Sequence, residues 1–352
     1  MRALQDAASW QELGELWTAL AEMGVLGLPF PEEFGGQGAG LFELGLVLQE
    51  AGRAMCPTVV PGTLAFGIAV ARLGSDGQRA RWLAPVAAGR LRAGVALWNP
   101  SDASDLRPTV EARRVAAGWV LSGAADFVPN ADLLDELLVS ARDVTDGPDG
   151  PVLAFAVKPS EPGWRQIRRQ TFSRDIQCRV VFDGLEVSGD REFPVDGDGL
   201  CWVSHAVTAL QCMEQVGGAY GVLDMAVEYV KVREQFGRPL GSFQAVQHHV
   251  ADVRIAAEAA RLTASQAVCL VGAGQMAERE VAIAKLHANE AYKLATLTAH
   301  QLFGGMGYMR ETDLHLWSQR AKSMEILGGA RDVQLARLER ALGLASASEA
   351  SR

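Results

Sequence analysis

The sequence lacks paired cysteines, long apolar runs and clustered basic charge, and each absence removes a class of protein. Its five cysteines (Cys56, Cys178, Cys201, Cys212 and Cys269) are odd in number and never spaced as CxxC. That excludes a disulfide framework and a structural zinc site as the organising principle. No stretch reaches the roughly 18 uncharged apolar residues that a membrane span needs, and Met1-Arg2-Ala3-Leu4-Gln5-Asp6 opens without the apolar core of a secretory signal. Lys+Arg number 33 against Asp+Glu 42, a formal charge of -9 with no long basic run, which argues against nucleic acid as a partner. These absences predict a soluble cytoplasmic protein that meets neither nucleic acid nor membrane. Present instead are 352 residues, 49% of them hydrophobic, enough for a large core and two or three domains.

Periodicity divides the chain into three blocks. Residues 1–91 read as a helical domain. Ser9-Trp10-Gln11-Glu12 is a capping-box pattern ahead of Leu13, Leu16 and Leu20. Residues 31–40 then break the pattern with four glycines and a proline, and helical spacing resumes at Leu41, Leu44 and Leu48 and again over residues 64–83. Residues 92–195 carry short apolar runs between turn signals such as Asn99-Pro100, Asp146-Gly147-Pro148 and Asp183-Gly184, which predicts a small all-β domain, a barrel or a sandwich. Residues 196–352 return to helix. The stretch 200–232 has no proline, Ser242 caps a segment to Gly272, a third covers 277–302, and a fourth runs from Thr312 towards Leu344 with Gly328-Gly329 as a break point. Helices of about 30 residues span roughly 45 Å, and four of them imply an antiparallel bundle. The predicted class is α+β multidomain: N-terminal helical domain, central β-barrel-like domain, C-terminal four-helix bundle.

Two stretches of the third block stand out. Residues 229–244 (YVKVREQFGRPLGSFQ) end one long helix and begin the next. Arg233 there reads either as a helix C-terminal cation before a Gly237-Arg238-Pro239 stop or as a fork donor for a phosphate. Residues 301–308 (QLFGGMGY) form a glycine-rich turn after a helix. No strand precedes it, so the α/β dinucleotide fingerprint is not met. His248-His249 are neighbours on different helix faces, a poor metal site.

Together the two stretches resemble the acyl-CoA dehydrogenase family, and the resemblance covers nearly the whole chain in order. Pro31-Glu32-Glu33-Phe34-Gly35-Gly36 is similar to the family's N-terminal loop, and residues 123–130 and 182–187 are similar to its β-domain. The resemblance implies FAD at a subunit interface. It also implies an acyl-CoA substrate, a homologous subunit in a homo- or heterotetramer, and an electron-transfer flavoprotein as acceptor. In that chemistry a carboxylate takes the α-proton of the thioester while a hydride leaves the β-carbon for the flavin. Carried over by position, Arg233 matches the pyrophosphate arginine, Phe236 the aromatic beside it, and Gln244 the glutamine opening the next helix. Gln301, Gly304 and Gly305 match the group that receives the adenosine diphosphate.

The half that serves a chain's own flavin departs from the family. The usual Thr-Glu-Pro-x-x-x-Ser-Asp segment reads Trp98-Asn99-Pro100-Ser101-Asp102-Ala103-Ser104-Asp105, which keeps Ser104 but puts Trp98 in place of the ring-binding threonine. The aromatic-x-Thr that follows is Phe127-Val128-Pro129, and Ala330 and Asp332 stand where Thr and Gln are common. Both family positions for the catalytic Glu are lost: one is Gly328, the other falls at Val207, with Thr208 in place of the adjacent arginine. Glu214, His205 and Glu325 are the nearby groups able to take a proton. Three readings follow: a dehydrogenase with a relocated base, a non-catalytic subunit that completes the FAD site of a glutamate-bearing homologue, or an offshoot with another CoA-thioester reaction.

Overall fold

The computed structural model describes residues 10–98, 106–173, 175–195 and 198–344. The Ser9 capping box and Ser104 lie outside them. The chain forms two compact units, Met1–Leu44 with Pro57–Ser204, and Gly45–Cys56 with His205–Arg352.

In the first unit α1 (Trp10–Glu22), α2 (Leu41–Arg53), α3 (Val59–Leu73) and α4 (Asp76–Ala87) precede the strands; the second half of α2 belongs to the other unit. The single helix expected over residues 64–83 is two. Ser75 and Gln78 form a reciprocal capping box, so a new helix starts where the old one would have continued. Trp82 of α4 stacks on Phe193 at 5.3 Å and meets the edge of Phe66. The Gln78 amide donates to the Glu192 carbonyl at 2.7 Å, which ties α4 to the sheet.

Among the described residues eight strands form one sheet: β1 (Ala93–Ala96), β2 (Val110–Val115), β3 (Gly118–Pro129), β4 (Glu136–Asp143), β5 (Val152–Val157), β6 (Trp164–Arg169), β7 (Gln177–Ser188) and β8 (Glu192–Phe193). The order is β6-β7-β3-β2-β4-β5-β8, with β1 also on β4. Most pairs are antiparallel, but β1–β4 and β2–β4 are parallel, so the sheet is mixed. Its core is the inward set of alternating side chains, among them Trp119, Leu121, Val139, Phe155, Val180 and Phe182. Short apolar runs did not mark β2 or β6. β6 reads Trp-Arg-Gln-Ile-Arg-Arg and is mostly exposed, the charged composition that protects a sheet edge from further pairing. Beneath the sheet Glu136 and Arg191, 4% and 8% exposed, form an ion pair, and Arg191 Nε also donates to the Ala156 carbonyl at 2.6 Å.

The second unit is helical: α5 (Gly199–Val232), whose start up to Ser204 belongs to the first unit, α6 (Gln244–Gly272), α7 (Glu278–Phe303), α8 (Leu314–Ile326) and α9 (Arg331–Ala341). Buried alanines recur at helical spacing on two of them, Ala257, Ala260, Ala264 and Ala267 on α6 and Ala284, Ala288, Ala291 and Ala295 on α7. Such small stripes let the two backbones approach closely. A still closer crossing joins α2 to α5: a Cβ at Gly52 would lie 1.9 Å from the Glu214 carbonyl oxygen, and one at Gly217 1.7 Å from that of Gln49. Only glycine fits at either point.

Two sequence expectations change here. Ser242 is not the N-cap of α6. The helix begins at Gln244 after Phe243, and the Ser242 hydroxyl instead donates to the Pro239 carbonyl at 2.7 Å within a 3-10 turn over Leu240–Ser242. The fourth long segment is two short helices, α8 and α9. Gly328 and Gly329 adopt φ of 75° and 106° between them, values closed to the right-handed helix.

Candidate functional site

α5 ends at Val232 because the chain turns at once into a hairpin. β9 (Glu234–Gln235) pairs antiparallel with β10 (Arg238–Pro239) around Phe236-Gly237, whose φ values are 55° and 79°. Two consecutive positive φ values suit a primed hairpin turn, a place for Asn-Gly or Gly-Gly. Here a phenylalanine occupies the first, at a cost of about 1–2 kcal/mol, and its ring is 90% exposed. Among the described residues its ring contact is an edge-on approach to Phe243 at 6.1 Å. Arg238 lies over the Phe243 ring at 4.0 Å and stiffens the base of the arm.

Behind the hairpin lies a cleft of about 560 Å³, with Tyr229, Arg233, Leu240, Phe303, Gly304 and Gly305 in its wall. Tyr229 stacks on Phe303 at 4.0 Å and forms its floor. The exposed Arg233 guanidinium makes no ion pair or hydrogen bond among the described residues. Gly304 (φ 59°) ends α7. Gly305 has no positive φ, and a Cβ at either glycine would meet nothing within 4 Å. At Gly305, then, the chain's own packing does not demand glycine; an approaching ligand would. The cleft brings together Arg233, Gly304 and Gly305. Phe236, Gln244 and Gln301 are exposed and stand outside its lining.

In the first unit, the β3–β7 register shifts between Ala125 and Val128. This bulge leaves Phe127 at φ 56° and 54% exposed, as bulges do when they re-aim a side chain. The indole Nε1 of Trp98 donates to the Ser204 hydroxyl at 2.9 Å. Pro129 offers no donor, and the position of Ser104 lies outside the described residues.

Gly328, one of the two positions at which the resemblance seeks a base, lies against α5, the helix that carries the other. A Cβ on Gly328 would come 2.9 Å from Gln211 Oε1 and 3.5 Å from the hydroxyl of Thr208, the neighbour of Val207. The Gly328 carbonyl accepts from Gln334 Nε2 at 2.7 Å and from Arg337 at 3.4 Å.

A model of the acyl-CoA dehydrogenase C-terminal domain matches residues 207–343, and one of the N-terminal domain matches residues 2–90. The acyl-CoA dehydrogenase FadE12 of Mycobacterium tuberculosis is 30% identical over 345 residues, 94% of this chain and 88% of its own length. The chain belongs to the acyl-CoA dehydrogenase family. Solved structures agree. A variant of the Tcur3481-Tcur3483 steroid ACAD superposes with a TM-score of 0.87 at 33% identity, covering 98% of this chain and 93% of that one. The ChsE4-ChsE5 complex of M. tuberculosis gives 0.88 at 29%, covering 97% and 92%. The expected architecture of helical domain, sheet domain and C-terminal helices is the acyl-CoA dehydrogenase fold.

The family implies FAD, and the bundle corner of this acyl-CoA dehydrogenase-family chain fits a diphosphate. It presents an unpaired arginine fork beside two glycines that open onto the cleft. The sheet half fits less well, since the Trp98 indole N–H is already spent on Ser204 and Pro129 carries no hydroxyl.

Each of the three groups able to take a proton has an ion-pair or hydrogen-bond partner. Glu214, 5% exposed, faces Arg320, whose Nη1 lies 3.5 Å from Oε1 and also donates to the Cys56 carbonyl at 3.1 Å. Glu325 receives Lys322 Nζ at 2.8 Å. His205 holds the Met276 carbonyl with Nδ1 at 2.6 Å. Burial pushes its pKa below the ordinary value, so the ring is neutral with Nε2 as its lone-pair nitrogen.

Sequence reasoning missed Lys285, which lies in a helix rich in charge and reads as surface. It is fully buried, and its Nζ donates to Gln215 Oε1 at 2.9 Å and to the Met324 carbonyl at 2.6 Å. Met324 O belongs to the last turn of α8, where carbonyls lack helical partners. Lys285 therefore caps the helix that leads into Gly328. Burial lowers its pKa from 10.5 to about 8.

Proposed function

We propose that this chain is the non-catalytic, flavin-completing subunit of a heteromeric acyl-CoA dehydrogenase. The observation that carries the reading is an asymmetry. The outward-facing corner is intact, with Arg233 unpaired, Gly304 and Gly305 open, and Phe236 held in strain at 90% exposure. The inward requirements are gone, with Gly328 and Val207 at the base positions and Trp98 and Pro129 at the ring-side positions. A strained, exposed aromatic is repaid only when a second chain buries it.

In this reading Arg233 and the glycine pair hold the FAD diphosphate of a partner subunit, while Phe236, Gln244 and Gln301 line its approach. FAD supplies the hydride acceptor when bound. The partner, a homologue carrying the glutamate, takes the α-proton, and an electron-transfer flavoprotein receives the electrons in the cytoplasm. In a symmetric dimer each intact corner would meet the altered half of its own copy. A partner with an intact ring-side half gives one complete site per heterodimer. The heteromeric relatives, one of them called a steroid ACAD, favour a bulky acyl thioester of steroid type.

The test is to purify the chain alone and with its glutamate-bearing homologue, then measure FAD per chain and thioester oxidation with an artificial acceptor. The chain alone should be flavin-poor and inactive, and the mixed tetramer yellow and active. A homo-oligomer holding one FAD per chain and turning over at rates normal for the family would overturn the reading.

A further inference from the structure

The sheet carries a cleft of about 660 Å³ that the proposed function does not use, with Thr109, Ala124, Asp126, Arg165, Arg179 and Asp183 in its wall. All of it lies within the first unit. Strand register sets its plan. Ala124 of β3, Val181 of β7 and Arg165 of β6 form one row across three strands. Arg179 stands two residues before Val181 on β7 and Asp183 two residues after it, on the same face. The β3–β7 register shifts on both sides of Ala124, between Leu121 and Ser122 and between Ala125 and Val128. Such bulges bend a strand and sharpen its twist.

The charges on this face are unequally paired. Asp126, whose side chain is 19% exposed, takes both Arg179 and Arg169, the second at 3.6 Å. One carboxylate therefore serves two guanidiniums, and Arg179 keeps further donors of its fork uncommitted. Arg165 is exposed and makes no ion pair or hydrogen bond among the described residues, and the same holds for the Asp183 carboxylate. The two are one row apart, roughly 7 Å along the strand. Thr109 donates its hydroxyl proton to the Ala124 carbonyl at 2.6 Å, which leaves its oxygen as an acceptor. The cleft thus joins a cationic end to an end of acceptors.

That arrangement narrows the occupant. Two arginine forks suit the oxygens of a phosphate. A bare anion would satisfy them but leave Asp183 facing a like charge. An ammonium at Asp183 would stand close to Arg165. A hydroxyl donates to the carboxylate or to the Thr109 oxygen and brings no charge with it. Gly123, Ala124 and Val181 put only small side chains between the two ends, which leaves room for a ring. We propose that this cleft binds a sugar phosphate, with the phosphate held by Arg165 and Arg179 and the sugar hydroxyls by Asp183 and Thr109. Acidic side chains take ribose hydroxyls in the same way at dinucleotide sites. The site is distinct from the Arg233 cleft, which belongs to the second unit, and it does not depend on the flavin-completing reading.

The experiment is calorimetric titration of the full chain at low ionic strength with ribose 5-phosphate, ribose, inorganic phosphate and adenosine 5′-monophosphate. Ribose 5-phosphate should bind at least about tenfold more tightly than ribose or inorganic phosphate. Arg165→Gln should remove that binding by a similar factor, and the binding should persist in Arg233→Ala, which strips the other cleft of its cation. Asp183→Ala should weaken ribose 5-phosphate about fivefold yet leave inorganic phosphate unchanged or tighter, a split that loss of folding would not produce. Measured in the Arg233→Ala chain, adenosine 5′-monophosphate separates the two sources of the ligand. Tighter binding than ribose 5-phosphate assigns a nucleotide, and binding no tighter assigns a free sugar phosphate. Equal affinity for ribose 5-phosphate and inorganic phosphate overturns the proposal and leaves an adventitious anion site only. Binding that survives Arg165→Gln, binding that Arg233→Ala abolishes, or no binding at millimolar ligand overturns it as well.

Discussion

Lys285→Met tests the most unusual electrostatic feature of the helical unit. The parent buries an ammonium in the bundle core, held by Gln215 Oε1 and the Met324 carbonyl, with its pKa lowered from 10.5 to about 8. Below about pH 8 the lysine is protonated in both folded and unfolded chains, and folding bears the whole cost of desolvation. Between pH 8 and 10.5 the unfolded chain holds the proton that the folded chain has released, so stability rises with pH. At 1.36 kcal/mol per pH unit the interval is worth about 3 kcal/mol. Cys56 and Cys212, both pushed up to about 12 by burial, act in the opposite sense, since their thiols ionise earlier in the unfolded chain. Parent and variant share them, so the difference between the two isolates Lys285. The assay is urea denaturation followed by helical circular dichroism at pH 7, 8, 9 and 10. The parent should gain on Lys285→Met by about 2–3 kcal/mol across the series, whatever the offset at pH 7. Parallel curves would refute the buried, shifted ammonium.

Phe236→Gly should raise the stability of the isolated chain by about 1 kcal/mol by relieving the positive φ while weakening assembly with the partner; thermal melting and sedimentation separate the two effects. Arg233→Ala should lower FAD retention in the assembled protein, since each charge-assisted bond is worth about 1.5–3 kcal/mol; flavin absorbance after gel filtration reads it. Gly328→Glu should not create a dehydrogenase. Its φ of 75° and the 2.9 Å approach to Gln211 oppose the side chain, so the expected outcome is a lower melting temperature with no acceptor reduction. Glu214→Gln should destabilise by about 1–3 kcal/mol, because it removes the carboxylate charge that faces the buried Arg320 guanidinium; denaturant titration measures it.

Local sequence by itself determined the order of the three blocks, the long helices α5, α6 and α7, and the arm that follows Arg233. These depend on 3.6-residue periodicity, proline-free length and adjacent turn residues, all of which are properties of neighbours in the chain. It also determined that no carboxylate stands at Gly328 or Val207. It misjudged the boundaries where a cap competes with a continuing pattern, at Ser75 and at Ser242, because a hydroxyl's partner is set by backbone it has not yet met. It could not show the parallel pairing of β1 and β2 with β4, since a strand's neighbour is chosen by topology. Tertiary structure alone decided what surrounds Gly328. Thr208 and Gln211 lie more than a hundred residues from Gly328, and only the packing of α5 against the α8–α9 turn brings them within 3.5 Å of the same point. Burial decided the rest: the same Lys285 that would be a solvated cation on a surface helix is, inside the bundle, a cap with its pKa lowered to about 8.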